Sequence, residues 1–295
     1  VATAAHGPLR ARYGGLRDFL LGVRFVQADG VVTWGGARVV KSVTGYDVPK
    51  LMTGALGTLG VLVELTLRLH STPEFEGTCL VTASHADAAQ AFVAAVLDSA
   101  LQPSRLEFLG AAALAACDLP PGPAAVAVSF STVEAAVRAQ QAALEPLAGR
   151  LGARVQTMGA TFWRTYDRRL ADAGPVTLRV TAPSSRLAAT VREVEAALAA
   201  GGSVPLVAGG AAFGTLQASF APAHPAAART AVERLRDAVA DVAGSVVVEK
   251  GPREVREAVD PWGPVAEPAL ALMRDLKRQF DPHGVLNPGR FVGGI

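Results

Sequence analysis

Residues 35–61 carry the pattern best suited to holding a ligand. Six glycines, at positions 35, 36, 45, 54, 57 and 60, lie among apolar and hydroxyl side chains just before a strand-like run at 61–69. Glycine reaches positive φ at little cost and lets a ligand approach the main chain, because it has no Cβ. The pattern is typical of a loop that holds a flat or anionic group.

The spacing of these glycines matches neither common phosphate-binding loop. A Walker loop requires Gly-x-x-x-x-Gly-Lys-Ser/Thr, and the dinucleotide fingerprint requires Gly-x-Gly-x-x-Gly at the start of a helix. Here Gly57-Thr58-Leu59-Gly60 leads into a strand instead. On spacing alone, two interpretations stay open: a ligand loop, or a glycine-rich turn between packed elements.

Side chains that could transfer protons or ligate metals are scattered along the chain. The five histidines are isolated from one another: His6, His70, His85, His224 and His283. No two of them have the spacing of a metal site or a proton relay, so we assign no catalytic residue and no metal site. His85 and His224 are placed where helices are expected to begin.

Two cysteines, Cys79 and Cys117, are far apart in the sequence. They are too few for an iron–sulfur cluster held by this chain alone, which needs about four cysteine ligands. They also give no disulfide framework, so the reducing cytoplasm is the expected compartment. Both are expected to be buried core residues.

Charge and hydropathy exclude several classes of protein. The formal net charge is +2, from 28 basic and 26 acidic residues, so a nucleic-acid partner is not expected. Half of the residues are hydrophobic, but the apolar runs are shorter than the roughly 20 residues that span a bilayer. No secretory signal is recognised. The densest basic cluster, residues 164–169, is interpreted as an exposed helix face.

The first 73 residues are predicted to form strands and turns. Segments 23–26 and 31–34 flank Asp29-Gly30, a turn signal, and therefore predict a hairpin. Segment 61–69 is a further predicted strand, which Pro73 ends. Asp47-Val48-Pro49 has the composition of a helix start, with proline at the first position.

From residue 78 the pattern repeats. The first set places strands at 78–83, 104–109, 125–131 and 153–158, with helices at 85–99 and 133–151. The second set places strands at 176–181, 204–208, 215–220 and 245–250, with helices at 184–200 and 225–242. Both sets follow the ferredoxin-like order β-α-β-β-α-β. Side by side, they predict one broad antiparallel sheet with helices on one face, in an α+β fold.

Two further segments complete the plan. Residues 159–175 connect the two sets, and the aromatic residues Phe162, Trp163 and Tyr166 predict a helix that packs against the protein. After a proline-rich loop, a helix at 269–280 leads into the C-terminal segment.

Four ordered segments resemble the FAD-linked 2-hydroxyacid oxidases, whose FAD domain is of the vanillyl-alcohol oxidase and p-cresol methylhydroxylase (PCMH) type. They are Arg-Asp-Phe-Leu-Leu-Gly-Val-Arg at 17–24, Val-Lys-Ser-Val-Thr-Gly-Tyr-Asp at 40–47, Gly-Ala-Leu-Gly-Thr-Leu-Gly-Val at 54–61 and Phe-Asp-Pro-His-Gly-Val-Leu-Asn-Pro-Gly-Arg at 280–290. Within the family, the resemblance is to the E subunit of bacterial glycolate oxidase.

The resemblance implies three parts and a flavin site. Residues 1–73 correspond to the second part of the FAD-binding domain, 74–268 to a cap or substrate domain, and 269–295 to a tail that returns to the FAD domain. The cofactor-binding residues implied are Gly45, Tyr46, Asp47, Gly57, Thr58, Leu59, Gly60, Val61, Asn287 and Arg290. For Asp47 a helix cap, and for Asn287 and Arg290 a surface turn, stay open as alternatives.

In the family, a separate glycine-rich loop for the FAD pyrophosphate precedes the segment that Val1–Tyr13 resembles. We therefore expect this sequence to be truncated at its N-terminus. The histidine-containing cap motif of the family's D subunit is also missing, since Val207-Ala208-Gly209-Gly210 has no His or Asp beside it.

The resemblance implies an FAD-binding subunit of a glycolate oxidase complex that oxidises glycolate to glyoxylate. Electrons would pass through the flavin to a second FAD-binding subunit and an iron–sulfur subunit, and the chain would not be active alone. Two alternatives stay open: an assembly module without flavin, and a single-chain oxidase of another small 2-hydroxy acid. Attachment to the inner membrane through partners stays open as well.

Overall fold

The computed structural model of the chain describes residues 1–39, 45–200, 202 and 204–295. The chain divides into two compact units. The small unit contains Val1–Thr72 and Pro264–Ile295, and the large unit contains Pro73–Gly263.

The helices and strands follow one another in this order. In the first segment they are α1 (Arg10–Tyr13), α2 (Leu16–Phe19), β1 (Leu20–Val26), β2 (Val32–Gly36), α3 (Val48–Met52) and β3 (Val61–Leu67). In the large unit they are β4 (Phe75–Ala83), α4 (Ala86–Leu97), β5 (Arg105–Gly110), α5 (Ala111–Ala116), β6 (Ala124–Thr132), α6 (Glu134–Gly149), β7 (Arg154–Met158), α7 (Phe162–Ala171), β8 (Val176–Thr181), α8 (Leu187–Ala199), β9 (Leu206–Gly210), β10 (Thr215–Phe220), α9 (Pro225–Ala240), β11 (Ser245–Lys250) and α10 (Arg253–Ala258). The C-terminal helix is α11 (Glu267–Phe280), and short 3₁₀ turns occur at Ser184–Arg186 and Val292–Gly294.

The small unit contains a three-stranded antiparallel sheet in the order β2-β1-β3. The predicted hairpin is confirmed: Gly30 has a φ of 85°, and its amide donates to the carbonyl of Gln27 at 3.0 Å. Asp29 accepts the amide of Val31 at 3.0 Å, which explains the Asp-Gly pair at this turn. Strand β3 ends at Leu67, two residues before the predicted end.

The large unit contains an eight-stranded sheet in the order β11-β8-β10-β9-β5-β6-β4-β7. The two halves of this sheet are the predicted repeats, β4–β7 and β8–β11. In each half the first and third strands lie at the centre, as the ferredoxin-like order requires. The halves join edge to edge through the antiparallel strands β5 and β9, where Glu107 pairs with Gly210 and Leu109 with Ala208. The two predicted repeats and the broad antiparallel sheet are therefore confirmed.

The expectation that helices cover only one face of this sheet is wrong. Helices α4, α6, α8 and α9 bury one face, but α5 and α7 pack on the opposite face. The physical reason lies in the strands. The first seven residues of β6 are all buried, so side chains on both faces of that strand must pack against other elements. The aromatic packing face of α7 is confirmed, with Phe162, Trp163 and Tyr166 buried.

Other expectations concern single residues and short segments. Arg164, Arg168 and Arg169 are exposed on α7, as predicted for the basic cluster, and Cys79 and Cys117 are both buried. The short helices α1, α2, α5 and α10 were not predicted. No helix in the described part of the chain has the length and apolar character needed to span a membrane.

Candidate functional site

The glycine loop, defined here as residues 54–60, connects α3 to β3 in the small unit. Three residues of the loop have positive φ: Gly54 at 81°, Leu56 at 52° and Gly57 at 75°. Thr58 is 1% exposed, and both its amide and its hydroxyl donate to the carbonyl of Ala55, at 2.9 and 2.7 Å. Thr58 therefore shapes the loop from within.

Two glycines of the loop are required by close packing. A Cβ on Gly57 would lie 2.8 Å from Nδ2 of Asn287, and a Cβ on Gly60 would lie 2.7 Å from the ring of Phe25. Leu59 is 8% exposed and belongs to the core of the small unit. Val61 begins β3 with 54% of its surface exposed.

The C-terminal segment 277–290 meets the glycine loop through two side chains. Asn287 Nδ2 donates to the carbonyl of Leu56 at 2.7 Å, and Lys277 Nζ donates to the carbonyl of Thr58 at 2.9 Å. These bonds join positions 231 and 219 residues apart in the sequence. Two of the predicted segments, at 54–61 and 280–290, are thus brought together.

Lys277 was not predicted as a site residue, although its ammonium group makes three hydrogen bonds there. Besides Thr58, its ammonium group donates to Oδ2 of Asp281 at 2.6 Å and to the carbonyl of Leu286 at 2.8 Å. An ammonium group has three N–H donors, so these acceptors use them all.

Asp281 is the buried partner of Lys277 and is 3% exposed. Its two oxygens accept the amides of Val285 and Leu286 at 3.0 and 2.7 Å. Burial raises the pKa of Asp281, but the Lys277 ammonium and the two amides outweigh burial and lower the pKa to about 2. Asp281 is therefore ionised at neutral pH.

Three amides of the glycine loop donate no hydrogen bond within the protein. Among the hydrogen bonds of the described residues, Gly57, Leu59 and Gly60 do not donate their main-chain N–H groups. Leu59 and Gly60 are buried and Gly57 is half-buried. A buried amide without an acceptor costs about 1–3 kcal/mol, so a ligand atom that accepts from one would be stabilised.

The segment at 45–47 lies just before α3. Gly45 has a φ of 79°, and Tyr46 is 94% exposed. Asp47 accepts the amide of Lys50 at 3.2 Å and pairs with the Lys50 ammonium at 2.5 Å, so it caps α3. The hydrogen bond from Lys50 lowers the pKa of Asp47. Residues 40–44 of this segment lie outside the described residues.

Arg290 is exposed, and Asn287-Pro288-Gly289 forms a turn. The amide of Arg290 donates to the carbonyl of Asn287 at 3.2 Å, and Asn287 and Gly289 have φ values of 41° and 75°. The surface-turn alternative therefore describes the backbone here, while the Asn287 side chain binds the glycine loop.

An apolar cavity of about 320 Å³ borders the glycine loop on the side of α11. Thr58 and Leu59 line it together with Leu272, Met273 and Leu276. Its lining suits an aliphatic or aromatic group better than an anion.

The histidines have local contacts. Nδ1 of His85 and of His224 accepts the amide of Ala88 and of Ala227, each at 3.1 Å, so these two histidines cap α4 and α9. Within the described ranges, no group of three or more His, Cys, Asp or Glu residues is arranged to hold a metal ion.

One buried acidic residue in the large unit was also missed. Glu107 on β5 is 5% exposed, and its Oε2 accepts the hydroxyl of Tyr166 on α7 at 2.8 Å. Burial raises the pKa of Glu107 to about 8. The alternation of β5 gave no sign of this, because Arg105 and Glu107 alternate with Leu106 and Phe108, and this pattern predicts that Glu107 faces solvent.

The chain resembles known proteins over most of its length. The family model of FAD linked oxidases, C-terminal domain, matches residues 72–291, which is more than half of the chain. The glycolate oxidase subunit GlcD of Bacillus subtilis is 28% identical over 96% of this chain and 65% of its own length. The glycolate oxidase subunit GlcE of Escherichia coli is 41% identical over 73 residues, which are 25% of this chain and 21% of that protein.

The fold is also found in solved structures. The crystal structure of p-cresol methylhydroxylase with substrate bound has a TM-score of 0.66 at 14% identity, covering 92% of this chain and 64% of that one. The chain thus spans less than two thirds of the length of these proteins. The expected fold class, with its relation to the p-cresol methylhydroxylase type, is confirmed. The chain belongs to the family of FAD-linked oxidases, and FAD is its cofactor.

Proposed function

We propose that the chain is an FAD-binding subunit of a glycolate oxidase complex that oxidises glycolate to glyoxylate. The observation that carries the proposal is the meeting of the glycine loop with Asn287 and Lys277 of the C-terminal segment. A loop shaped by distant residues, with three amides that have no internal acceptor, fits a group rich in acceptor atoms. FAD is such a group, through its flavin ring and its pyrophosphate.

The residues proposed to hold FAD are those named from the sequence. FAD would contact the main chain of the glycine loop and of the residue after it, at Gly57, Thr58, Leu59, Gly60 and Val61. Asn287 would support this main chain. Gly45, Tyr46 and Asp47 would shape the adjoining surface before α3. Arg290 is exposed, and its guanidinium would bind the substrate carboxylate or balance negative charge on the reduced cofactor.

The chemistry that FAD would supply, when bound by these residues, is acceptance of a hydride from the hydroxyl-bearing carbon of the substrate. This chain would contribute binding and orientation through its loop amides. We assign no base for the hydroxyl proton, since His85 and His224 serve as helix caps. We therefore infer that the chain works with partners: a second FAD-binding subunit and an iron–sulfur subunit.

Similarity to two differently named glycolate oxidase subunits supports this assignment. The short segment that is 41% identical to the E subunit favours the corresponding role. The division into an FAD part at 1–73, a cap at 74–268 and a returning tail at 269–295 belongs to the same proposal. So does location in the cytoplasm, with any membrane contact made through partners.

Co-expression tests the subunit role. The isolated chain should show weak or no glycolate oxidation, and co-expression with D-type and iron–sulfur subunits should restore it. Rapid turnover by the isolated chain would contradict the subunit assignment. A colourless protein that still co-purifies with those subunits would support an assembly role without flavin instead.

A further inference from the structure

The hydrogen bonds at the glycine loop fix two particular peptide planes. Asn287 holds the carbonyl of Leu56, and Lys277 holds the carbonyl of Thr58. In a planar trans peptide, the C=O of one residue and the N–H of the next point in opposite directions. No peptide bond in the described chain is cis.

The two amides on those planes both lack an internal acceptor, as does the amide of Gly60. The carbonyl of Leu56 shares its plane with the amide of Gly57, and the carbonyl of Thr58 shares its plane with the amide of Leu59. Because both carbonyls point to side chains of the C-terminal segment, both amides point away from it. Asn287 and Lys277 therefore decide the direction in which the N–H groups of Gly57 and Leu59 point.

The position of Lys277 is itself fixed. Its three donors reach Thr58, Asp281 and Leu286, and its side chain is 12% exposed. Asp281 in turn is held by the amides of Val285 and Leu286. This chain of contacts leaves the ammonium group little freedom to move away from the carbonyl of Thr58.

We propose that Lys277 and Asn287 are positioning residues that orient the amides of Gly57 and Leu59 toward acceptor atoms of FAD. This inference rests on the proposed function, because it takes the glycine loop to be the FAD contact. Asp281 supports the arrangement by holding Lys277. None of the three needs to touch the cofactor.

The test compares FAD binding by four proteins: the unaltered chain, Lys277→Met, Asn287→Ala and the control Arg278→Met. Arg278 lies next to Lys277 on α11, but its partner is Asp275 and its side chain is 70% exposed. FAD is titrated into each protein, and both Kd and the visible flavin bands are recorded. Circular dichroism checks that each variant is folded.

Both Lys277→Met and Asn287→Ala should weaken FAD binding about tenfold or more and shift the flavin bands, because the amides lose their alignment. Arg278→Met should leave both quantities unchanged. Asn287→Ala removes one hydrogen bond on an exposed turn, so it keeps the test valid if Lys277→Met fails to fold. Unaltered Kd and spectra in folded Lys277→Met and Asn287→Ala would overturn the inference.

Amide hydrogen exchange without ligand separates this inference from the proposed function. Exchange at residues 55–60 should be faster in Lys277→Met and Asn287→Ala than in Arg278→Met, because the peptide planes are no longer held. If the unaltered chain fails to bind FAD, the proposed function is wrong. Equal exchange rates in all four proteins would show instead that the positioning role is wrong.

Discussion

The glycine loop of the small unit and the eight-stranded sheet of the large unit are stabilised in different ways. The sheet is held by apolar side chains on both faces, with many strand residues fully buried. The loop buries only Ala55 and Leu59 in the core of the small unit, and a few polar contacts hold the rest of it, including those of Lys277 and Asn287 and the bonds from Gly54 and Leu56 to Val1 and Ala2. A sheet of this kind distributes its stability over many residues, whereas the loop depends on a few.

This difference separates the scaffold from the candidate site. In the large unit, an apolar residue can be exchanged for another of similar volume at modest cost. In the loop, positive φ values and single hydrogen bonds leave fewer permitted residues. The predictions below test this contrast, from the largest expected effect to the smallest.

The largest effect is expected from a cavity in the sheet core. Phe92 on α4 is 0% exposed and packs within the core that covers one face of the sheet. Phe92→Ala should lower the free energy of unfolding by about 3–5 kcal/mol. Denaturant unfolding measures this, and Phe92→Leu, which leaves a smaller cavity, is the control. A loss equal to that of Phe92→Leu would argue against close packing at this position.

Glu107 should make the large unit less stable as pH rises. Its folded pKa of about 8 lies above the reference value of 4.5, so its neutral form is the one that folding favours. The stability is fully present below pH 4.5 and falls through the interval up to pH 8, by about 1.4 kcal/mol per pH unit.

Glu107→Gln should remove this slope while keeping an acceptor for the Tyr166 hydroxyl. The measurement is the free energy of unfolding at a series of pH values. Glu249→Gln, whose side chain is 40% exposed, is the control and should keep the slope. An unchanged slope in Glu107→Gln would show that Glu107 is ionised in the folded protein.

A smaller effect is expected from a methyl group in the glycine loop. Gly57→Ala places a Cβ at a φ of 75° and 2.8 Å from Nδ2 of Asn287. The backbone strain alone should cost about 1–2 kcal/mol, and FAD binding should weaken with it. Gly149→Ala is the matched control, since a Cβ there meets nothing within 4 Å and its φ is not positive. Equal stability of the two variants would mean that the loop accepts a side chain at position 57.

The smallest effect is expected from an exposed ion pair with the same spacing as Lys277 and Asp281. Arg253 and Glu257 are four residues apart, with side chains 80% and 62% exposed. Arg253→Ala should change the free energy of unfolding by only about 0.3–0.5 kcal/mol, because solvent screens the pair. If Arg253→Ala lowered the free energy of unfolding as much as Lys277→Met does, burial would not distinguish the Arg253–Glu257 pair from the Lys277–Asp281 pair.

The sequence predicted the sheet better than the site. The bounds of β8, β10 and β11 agree with the predicted strands, because apolar alternation and flanking turn residues mark them clearly. The helices α5 and α10, each of six residues, are too short to show a helical period.

The site residues show where sequence reasoning ends. Asp47 was expected to be either a cofactor contact or a helix cap, and its bonds to Lys50 follow the local cap signal. The hydrogen bond from Lys277 to Thr58 joins residues 219 positions apart, and no local sequence pattern predicts it. From sequence alone, the spacing of Lys277 and Asp281 cannot be distinguished from that of the exposed pair at 253 and 257.

The most direct test of the central claim is an FAD titration of the purified chain, followed by the visible flavin bands after desalting. We predict that the bands persist and that Asn287→Ala reduces them, because the glycine loop and the C-terminal segment together hold the cofactor. A chain that is folded but retains no flavin absorption would contradict the claim that this site binds FAD.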